Sequence, residues 1–253
     1  MSHRRVLVLT GDGINCERET ALAFRMGGFE SEILHLNDLI ASRMTEDQLA
    51  MHYSVLALPG GFSFGDDLTS GKILAIKIRR GLGWDLNRFA ARGGLVFGAC
   101  NGFQALIRLG VFGSQLSITH NSHGRFIDTW VRLRREGTRC VWLEGSDSFE
   151  VPIRHGEGRI VFDPAHGGER LARQFIDEGR ICLTYADSDP NGSTLRAAGL
   201  TDETGRILGL MPHPEAFLRW TAHPAWTSQR ERALSDDRGD GLALFEQARR
   251  VIG

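Results

Sequence analysis

LVFGACNGFQALIRLG, residues 95–110, joins a continuous apolar run to a run with helical spacing, through a cysteine set between Gly98 and Gly102. An apolar run of this length, stopped by glycine, suits a strand covered on both faces. Phe103, Leu106 and Ile107 then recur on one side of a helix that opens near residue 102. Strand, cysteine, helix places Cys100 outside the carboxyl end of a strand, where ligands gather in a doubly wound sheet. Gly98 and Gly102 omit the side chains that would crowd so sharp a reversal, an arrangement called a nucleophile elbow when serine holds the centre. The positive end of the helix favours an anionic sulfur, and the Asn101 N–H is placed to donate to a developing oxyanion. The same letters also suit a cysteine packed as a small hydrophobe.

Outward from this stretch the pattern repeats. VLVLTG (6–11), ILHL (33–36) and VLALPGG (55–61) are further short apolar runs ending at Gly or polar residues. Helical spacing fills the gaps: ERETALAFRM from Glu17, stopped by Gly27 and Gly28, and the stretch from Ser70 to Gly94, breaking near Gly81 and Gly83. Such alternation predicts α/β architecture, a doubly wound, mostly parallel sheet flanked by helices. Between residues 118 and 162 the character changes. RFIDTWVRLRR and TRCVWLEG carry β-branched and aromatic residues around turn-forming glycines, which predicts an antiparallel extension in the middle of the chain. ICLTYA (181–186) and ILGLMP (207–212) resume the short runs, and GLALFEQARRVI closes the chain as an amphipathic helix. Residues 216–240 read as an exposed excursion before that helix, and all 253 residues as one domain.

Composition removes several classes. Lys plus Arg total 30 against 31 Asp plus Glu, a balance with no field to draw in nucleic acid or an anionic membrane. The apolar run after MSHRR is too short for a membrane span or a signal peptide core. Cys16, Cys100, Cys140 and Cys182 are scattered without a C-x-x-C pair, so they read as reduced thiols of a cytoplasmic protein.

A thiolate that attacks an acyl group needs an imidazole in reach and a third group to orient it. MPHPE, residues 211–215, offers both: Pro212 and Pro214 push their predecessors towards extended geometry, which would turn His213 and Glu215 to one side. HPE also suits an ordinary proline-rich loop. PGGFSFGDD, residues 59–67, follows an apolar run, so the backbone at Gly61 could approach a ligand and supply a second oxyanion donor, or form a plain tight turn. Asp66 and Asp67 lack partners with cation-binding spacing and read as a capped loop or an interface. TGDG (10–13) fits neither nucleotide-loop pattern. His120 and His123 have a spacing that could hold a metal but no completing ligand, so loop histidines are expected and no metal in this chain.

Together, PGG, G-x-C-x-G-x-Q and H-P-E in this order resemble the class I, triad-type glutamine amidotransferases. NCERE (15–19), PGGFSFGDDL (59–68), GACNGFQ (98–104), NSHGRF (121–126), HGEGRI (155–160), DPNGS (189–193) and MPHPE narrow the likeness to the glutaminase subunit of phosphoribosylformylglycinamidine synthase, of purine biosynthesis. The resemblance implies a flavodoxin-like fold. It implies that Cys100 attacks the carboxamide of L-glutamine, that the Gly61 and Asn101 amides hold the oxyanion, that His213 protonates departing ammonia and that Glu215 orients His213. It also implies substrate contacts from Gln104, which helical spacing puts one turn beyond Cys100, and from Asn121, Ser122 and Phe126. No cofactor is expected in this chain. ATP and Mg are expected on a partner, an ATP-dependent synthetase subunit, with a small accessory subunit beside it. Ala216 stands where the family usually has Arg, and Asp189 begins the usual N-P-N-G. An amidotransferase of another pathway, a catalytically silent assembly or regulatory subunit, and a redox sensor on the same fold are the competing readings.

Overall fold

The computed structural model describes residues 4–253 apart from 67 and 146, so Asp67 lies outside the described residues. The chain runs β1 (Arg5–Thr10), α1 (Glu17–Met26), β2 (Glu30–His35), α2 (Leu36–Ala41), α3 (Glu46–His52), β3 (Val55–Leu58), α4 (Lys72–Lys77), α5 (Leu86–Ala91), β4 (Leu95–Ala99) and α6 (Asn101–Leu109). Then follow β5 (Leu116–His120), β6 (Ile127–Arg135), β7 (Ser148–His155), β8 (Glu157–Phe162), α7 (Gly168–Asp177), β9 (Ile181–Tyr185), β10 (Ala197–Thr201), β11 (Ile207–Leu210), α8 (Arg230–Ser235) and α9 (Leu242–Ile252).

Nine strands form one sheet in the order β2-β1-β3-β4-β11-β10-β9-β6-β7. The pairs from β2 to β11 are parallel, and those from β11 through β10, β9 and β6 to β7 are antiparallel, so β10 and β6 alone run against the rest. β5 and β8 pair separately. The sheet is buried on both faces because its strands alternate two apolar sets. Leu7, Leu9, Leu56, Leu58 and Val96 face a layer that includes α2 to α7, while Val6, Val8, Val55, Ala57 and Phe97 face α1 and α9. The expected fold class, with its antiparallel extension, is the observed one. The helical stretch from Ser70 breaks as expected: a π-turn over Ile78–Leu82 separates α4 from α5, with Gly83 left-handed after it.

Two expectations are corrected. TRCVWLEG forms no strand: Leu143 N–H donates to Cys140 O at 3.2 Å, turning the chain so that Trp142 plugs against Phe24 and Phe97. The strand that pairs with β6 is β7, SFEVPIRH, whose Pro152 counts against a central strand. β7 is the sheet edge, so the missing N–H breaks no ladder. The 216–240 excursion is also only partly exposed. Phe217, Leu218 and Trp220 are buried, with Phe217 edge-on to Trp130 at 4.8 Å. Trp220 N–H donates to Asp237 O at 2.9 Å, closing the loop on itself, and the residues between are mostly exposed.

Candidate active site

β3, β4 and β11 lie side by side, with Leu58 paired to Gly98 and Ala99 to Leu210. Their carboxyl ends therefore deliver PGG, Cys100 and the HPE turn to one edge of the sheet.

At the end of β4, Cys100 adopts φ 48°, ψ −107°, and α6 begins at the next residue. Its N–H donates to Leu210 O at 2.8 Å, and its C=O accepts from Gln104 N–H at 2.9 Å, which ties the bend to β11 and to the helix. Glycines make the bend fit: a Cβ on Gly102 would lie 1.9 Å from Leu58 O, and one on Gly98 would lie 2.5 Å from the Leu106 side chain. The Cys100 thiol is 6% exposed, and its Sγ lies 3.6 Å from the carbonyl oxygen of Arg154 on β7.

His213 leaves β11 with its N–H bonded to Pro152 O at 2.9 Å. Its Nδ1 lies 2.7 Å from Glu215 Oε1, with both side chains almost fully buried. The two side chains meet as expected, but the route differs: Pro214–Ala216 is a 3-10 turn rather than extended backbone. Burial opposes a charged imidazole here. The Glu215 carboxylate first, then the Cys100 and Cys16 sulfurs, outweigh burial and hold the ring's proton affinity well above the ordinary histidine value. Nε2 has no hydrogen-bond partner among the described residues, which leaves it available on the thiol's side.

Gly60 and Gly61 face this ring. A Cβ on Gly60 would sit 2.7 Å from His213 Cε1, so the imidazole occupies space that only glycine leaves. Asn15 and Cys16 N–H donate to Gly60 O, and Phe62 N–H donates to Gly13 O, making Gly61 and Ile14 a bridge of the type whose central N–H groups point away from each other. The Gly61 amide thus faces away from the 13–16 loop.

Asn101 is fully buried and its side chain is a hub. Its Oδ1 accepts from Ser63 N–H at 3.2 Å, and its Nδ2 donates to Asp66 Oδ1 at 3.2 Å and to Gln104 Oε1 at 2.9 Å. Asp66 also accepts from Ser70 Oγ, capping the loop, and burial raises its proton affinity. Gln104 Nε2 donates to Glu157 O. Asn121 commits both amide hydrogens, to Arg125 O and His155 O, and its Oδ1 lies 3.0 Å from His155 Nδ1. Gln104 and Asn121 therefore brace the β7–β8 junction, whose Arg154 carbonyl faces Cys100. Ser122 and Phe126 lie farther out on the same loop, exposed. His123 bonds within that region, to Arg125 N–H and Pro190 O, as a loop histidine, whereas His120 is not in a loop but ends β5, paired with Glu157.

Sequence reasoning missed three residues here. Cys16 lies against His213, His155 is buried beneath the junction, and Glu157 ties Arg108 at 3.0 Å to Ser70 of the loop after PGG. Their motifs, NCERE and HGEGRI, were the available signal.

The model of the CobB/CobQ-like glutamine amidotransferase domain matches residues 3–252. The phosphoribosylformylglycinamidine synthase subunit PurQ of Dehalococcoides mccartyi is 38% identical over 267 residues, covering 98% of this chain and 97% of its own. That of Methanococcus maripaludis is 39% identical over 260 residues, covering 95% and 92%. A chain in the structure of PurLQS from Thermotoga maritima superposes with a TM-score of 0.75 at 30% identity, covering 98% of this chain and 99% of that one. With these relatives and this domain match, the chain belongs to the CobB/CobQ-like glutamine amidotransferase family, within its phosphoribosylformylglycinamidine synthase subunit PurQ group.

Proposed function

We propose that this chain is the glutaminase subunit of phosphoribosylformylglycinamidine synthase and acts through Cys100, His213 and Glu215. The observation that carries the reading is the buried 2.7 Å His213–Glu215 contact at the foot of a strained cysteine elbow. In the reaction, Cys100 passes its proton to Nε2 of His213, and the sulfur attacks the carboxamide carbon of L-glutamine. The Gly61 and Asn101 amides donate to the oxyanion. His213 returns the proton to the leaving nitrogen, ammonia departs, and a glutamyl thioester remains on Cys100. Water, deprotonated by His213, cleaves the thioester to glutamate. Glu215 keeps the ring in the tautomer this shuttle needs.

The amino-acid end of glutamine is placed along the 121–126 loop, with Ser122 and Phe126 at the mouth and with Gln104 and Asn121 bracing the wall. Ammonia freed into neutral water would be protonated and lost as a nucleophile, so a partner must collect it. An ATP-dependent synthetase subunit, carrying ATP and Mg, and a small accessory subunit fill that role in this reading, consistent with the likeness to PurLQS. Cytoplasmic residence belongs to the same proposal; among the described residues no helix is long and apolar enough to cross a membrane. The test is Cys100→Ala assayed with the synthetase. Glutamine-dependent formylglycinamidine synthesis should vanish while ammonia-dependent synthesis continues. Unchanged glutamine-dependent synthesis would leave only an assembly role.

A further inference from the structure

Cys16 takes no part in the shuttle described above, yet it stands beside it. It precedes α1 with no side-chain capping bond, and its N–H is fixed to Gly60 O at 3.2 Å. Its thiol is directed to Asn15 Oδ1 at 3.3 Å. The sulfur lies 3.4 Å from the point where a Gly60 Cβ would sit, the same point that falls 2.7 Å from His213 Cε1. Thiol and ring thus both border the space that Gly60 leaves open. Cys16 Sγ, a ring nitrogen of His213 and a carboxylate oxygen of Glu215 lie within 4.8 Å of one another.

One further atom points to a ligand. Among the described residues, Glu215 Oε2 has no hydrogen-bond partner, although the side chain is only 1% exposed. Sulfur, imidazole nitrogen and carboxylate oxygen form the donor set that zinc-type cations select. Ionised at Cys16 and Glu215, the set carries two negative charges, matching a divalent ion. Metal–ligand distances of about 2.0–2.3 Å require donor atoms roughly 3.5 Å apart, so rearrangements of about an ångström suffice. Cys16 is partly exposed, whereas Cys100, Cys140 and Cys182 are buried, so an ion has a way in.

We propose that Cys16, His213 and Glu215 form an inhibitory site for a thiophilic divalent cation of the zinc type. Binding at Nδ1 sends the Cys16 thiol proton to solvent and moves the proton shared by His213 and Glu215 to Nε2, with no change of oxidation state. The occupied imidazole cannot shuttle a proton to glutamine, so ammonia production stops, and removing the ion restores it. Without the ion, burial keeps the Cys16 proton on, and the thiol does not compete with Cys100.

The inhibition half of the proposal rests on His213 as the proton shuttle; the binding half does not. The full chain is titrated with Co²⁺ as the optical probe, and glutamine hydrolysis in the synthetase complex is followed against buffered free Zn²⁺. One equivalent of Co²⁺ should give tetrahedral ligand-field bands with a thiolate-to-cobalt charge-transfer band, and Zn²⁺ should quench both. Cys16→Ser and Cys16→Ala should lose the charge-transfer band and need about tenfold or more free zinc for half-inhibition. Cys100→Ser should keep the band. A band that survives both Cys16 variants and vanishes in Cys100→Ser assigns the ion to the catalytic sulfur and overturns the proposal, as does the absence of stoichiometric Co²⁺ binding. If the chain fails to hydrolyse glutamine at all, the cobalt spectra still decide the site.

Discussion

Replacing Cys100 by glycine should leave a more stable protein than replacing it by alanine, although both variants lose the nucleophile. The native backbone, φ 48° and ψ −107°, is that of the first central residue of a type II′ turn, a region dominated by glycine. Holding a side-chain-bearing residue there costs on the order of 1–3 kcal/mol, and a ψ so far from the left-handed helical well puts Cys100 in the upper part of that range. Alanine keeps the Cβ and therefore the strain; glycine removes it. Against this, glycine adds roughly 0.5–1 kcal/mol of unfolded-chain entropy. Both variants forfeit the buried sulfur, so that loss cancels in the comparison. The glycine variant should emerge about 1–2 kcal/mol ahead, or roughly 2–4 °C in Tm for a chain of this size. Urea unfolding followed by circular dichroism, with matched calorimetric scans, measures the difference. A glycine variant equal to or below the alanine variant would refute the claim that the elbow stores backbone strain.

Two further outcomes follow from buried histidines. Glu215→Gln preserves the shape of the His213 contact but removes the largest of the contributions that together outweigh burial, so the ring's proton affinity falls; glutamine hydrolysis should drop on the order of 10²–10⁴-fold, and the alkaline limb of its pH profile should move to lower pH, with an unmoved limb counting against the assignment. His155 is held at about 4, from an ordinary 6.5, first by burial and then by the charges of His213 and His123. Between those values the unfolded chain binds a proton that the fold refuses, so this contribution is complete above about pH 6.5, declines as pH falls, and levels off near pH 4. Going from pH 7 to pH 5 should therefore cost about 2 kcal/mol that His155→Gln does not lose, and equal losses in urea midpoints for the two proteins would refute it.

The parts of this molecule legible in its sequence are those whose physics is local. Gly98 and Gly102 announce the elbow because the close approaches they permit, to Leu106 and Leu58 O, admit no side chain at all. Continuous apolar runs announce β1, β3 and β4 because each feeds two buried layers. TRCVWLEG misleads for the converse reason: its apolar residues satisfy burial as a plug, with Trp142 Nε1–H bonded to Arg206 O at 2.9 Å, and burial alone does not distinguish a plug from a strand. Pro152 hides β7 because its tolerance depends on being at an edge, a property of the finished sheet. Phe217 and Trp220 belong to a polar stretch, and their burial depends on packing against each other, His223 and the distant Trp130.

Strand order is the step that pattern alone does not supply, and the site depends on it. Residue 100 follows residue 61 by one crossover, but β11 enters the sheet beside β4 only after β5 to β10 have been laid down elsewhere. That insertion brings Leu210 O to Cys100 N–H and seats His213 against Gly60. The same step presses the far wall, β7, onto the site through Pro152 O and the Arg154 carbonyl. Motifs at the carboxyl ends of parallel strands therefore identify which residues can meet, whereas the order of strands decides that they do. Cys16 illustrates the difference: it follows β1, which is next to β3, so its neighbour is the PGG loop, and only through Gly60 does it reach an imidazole nearly two hundred positions away.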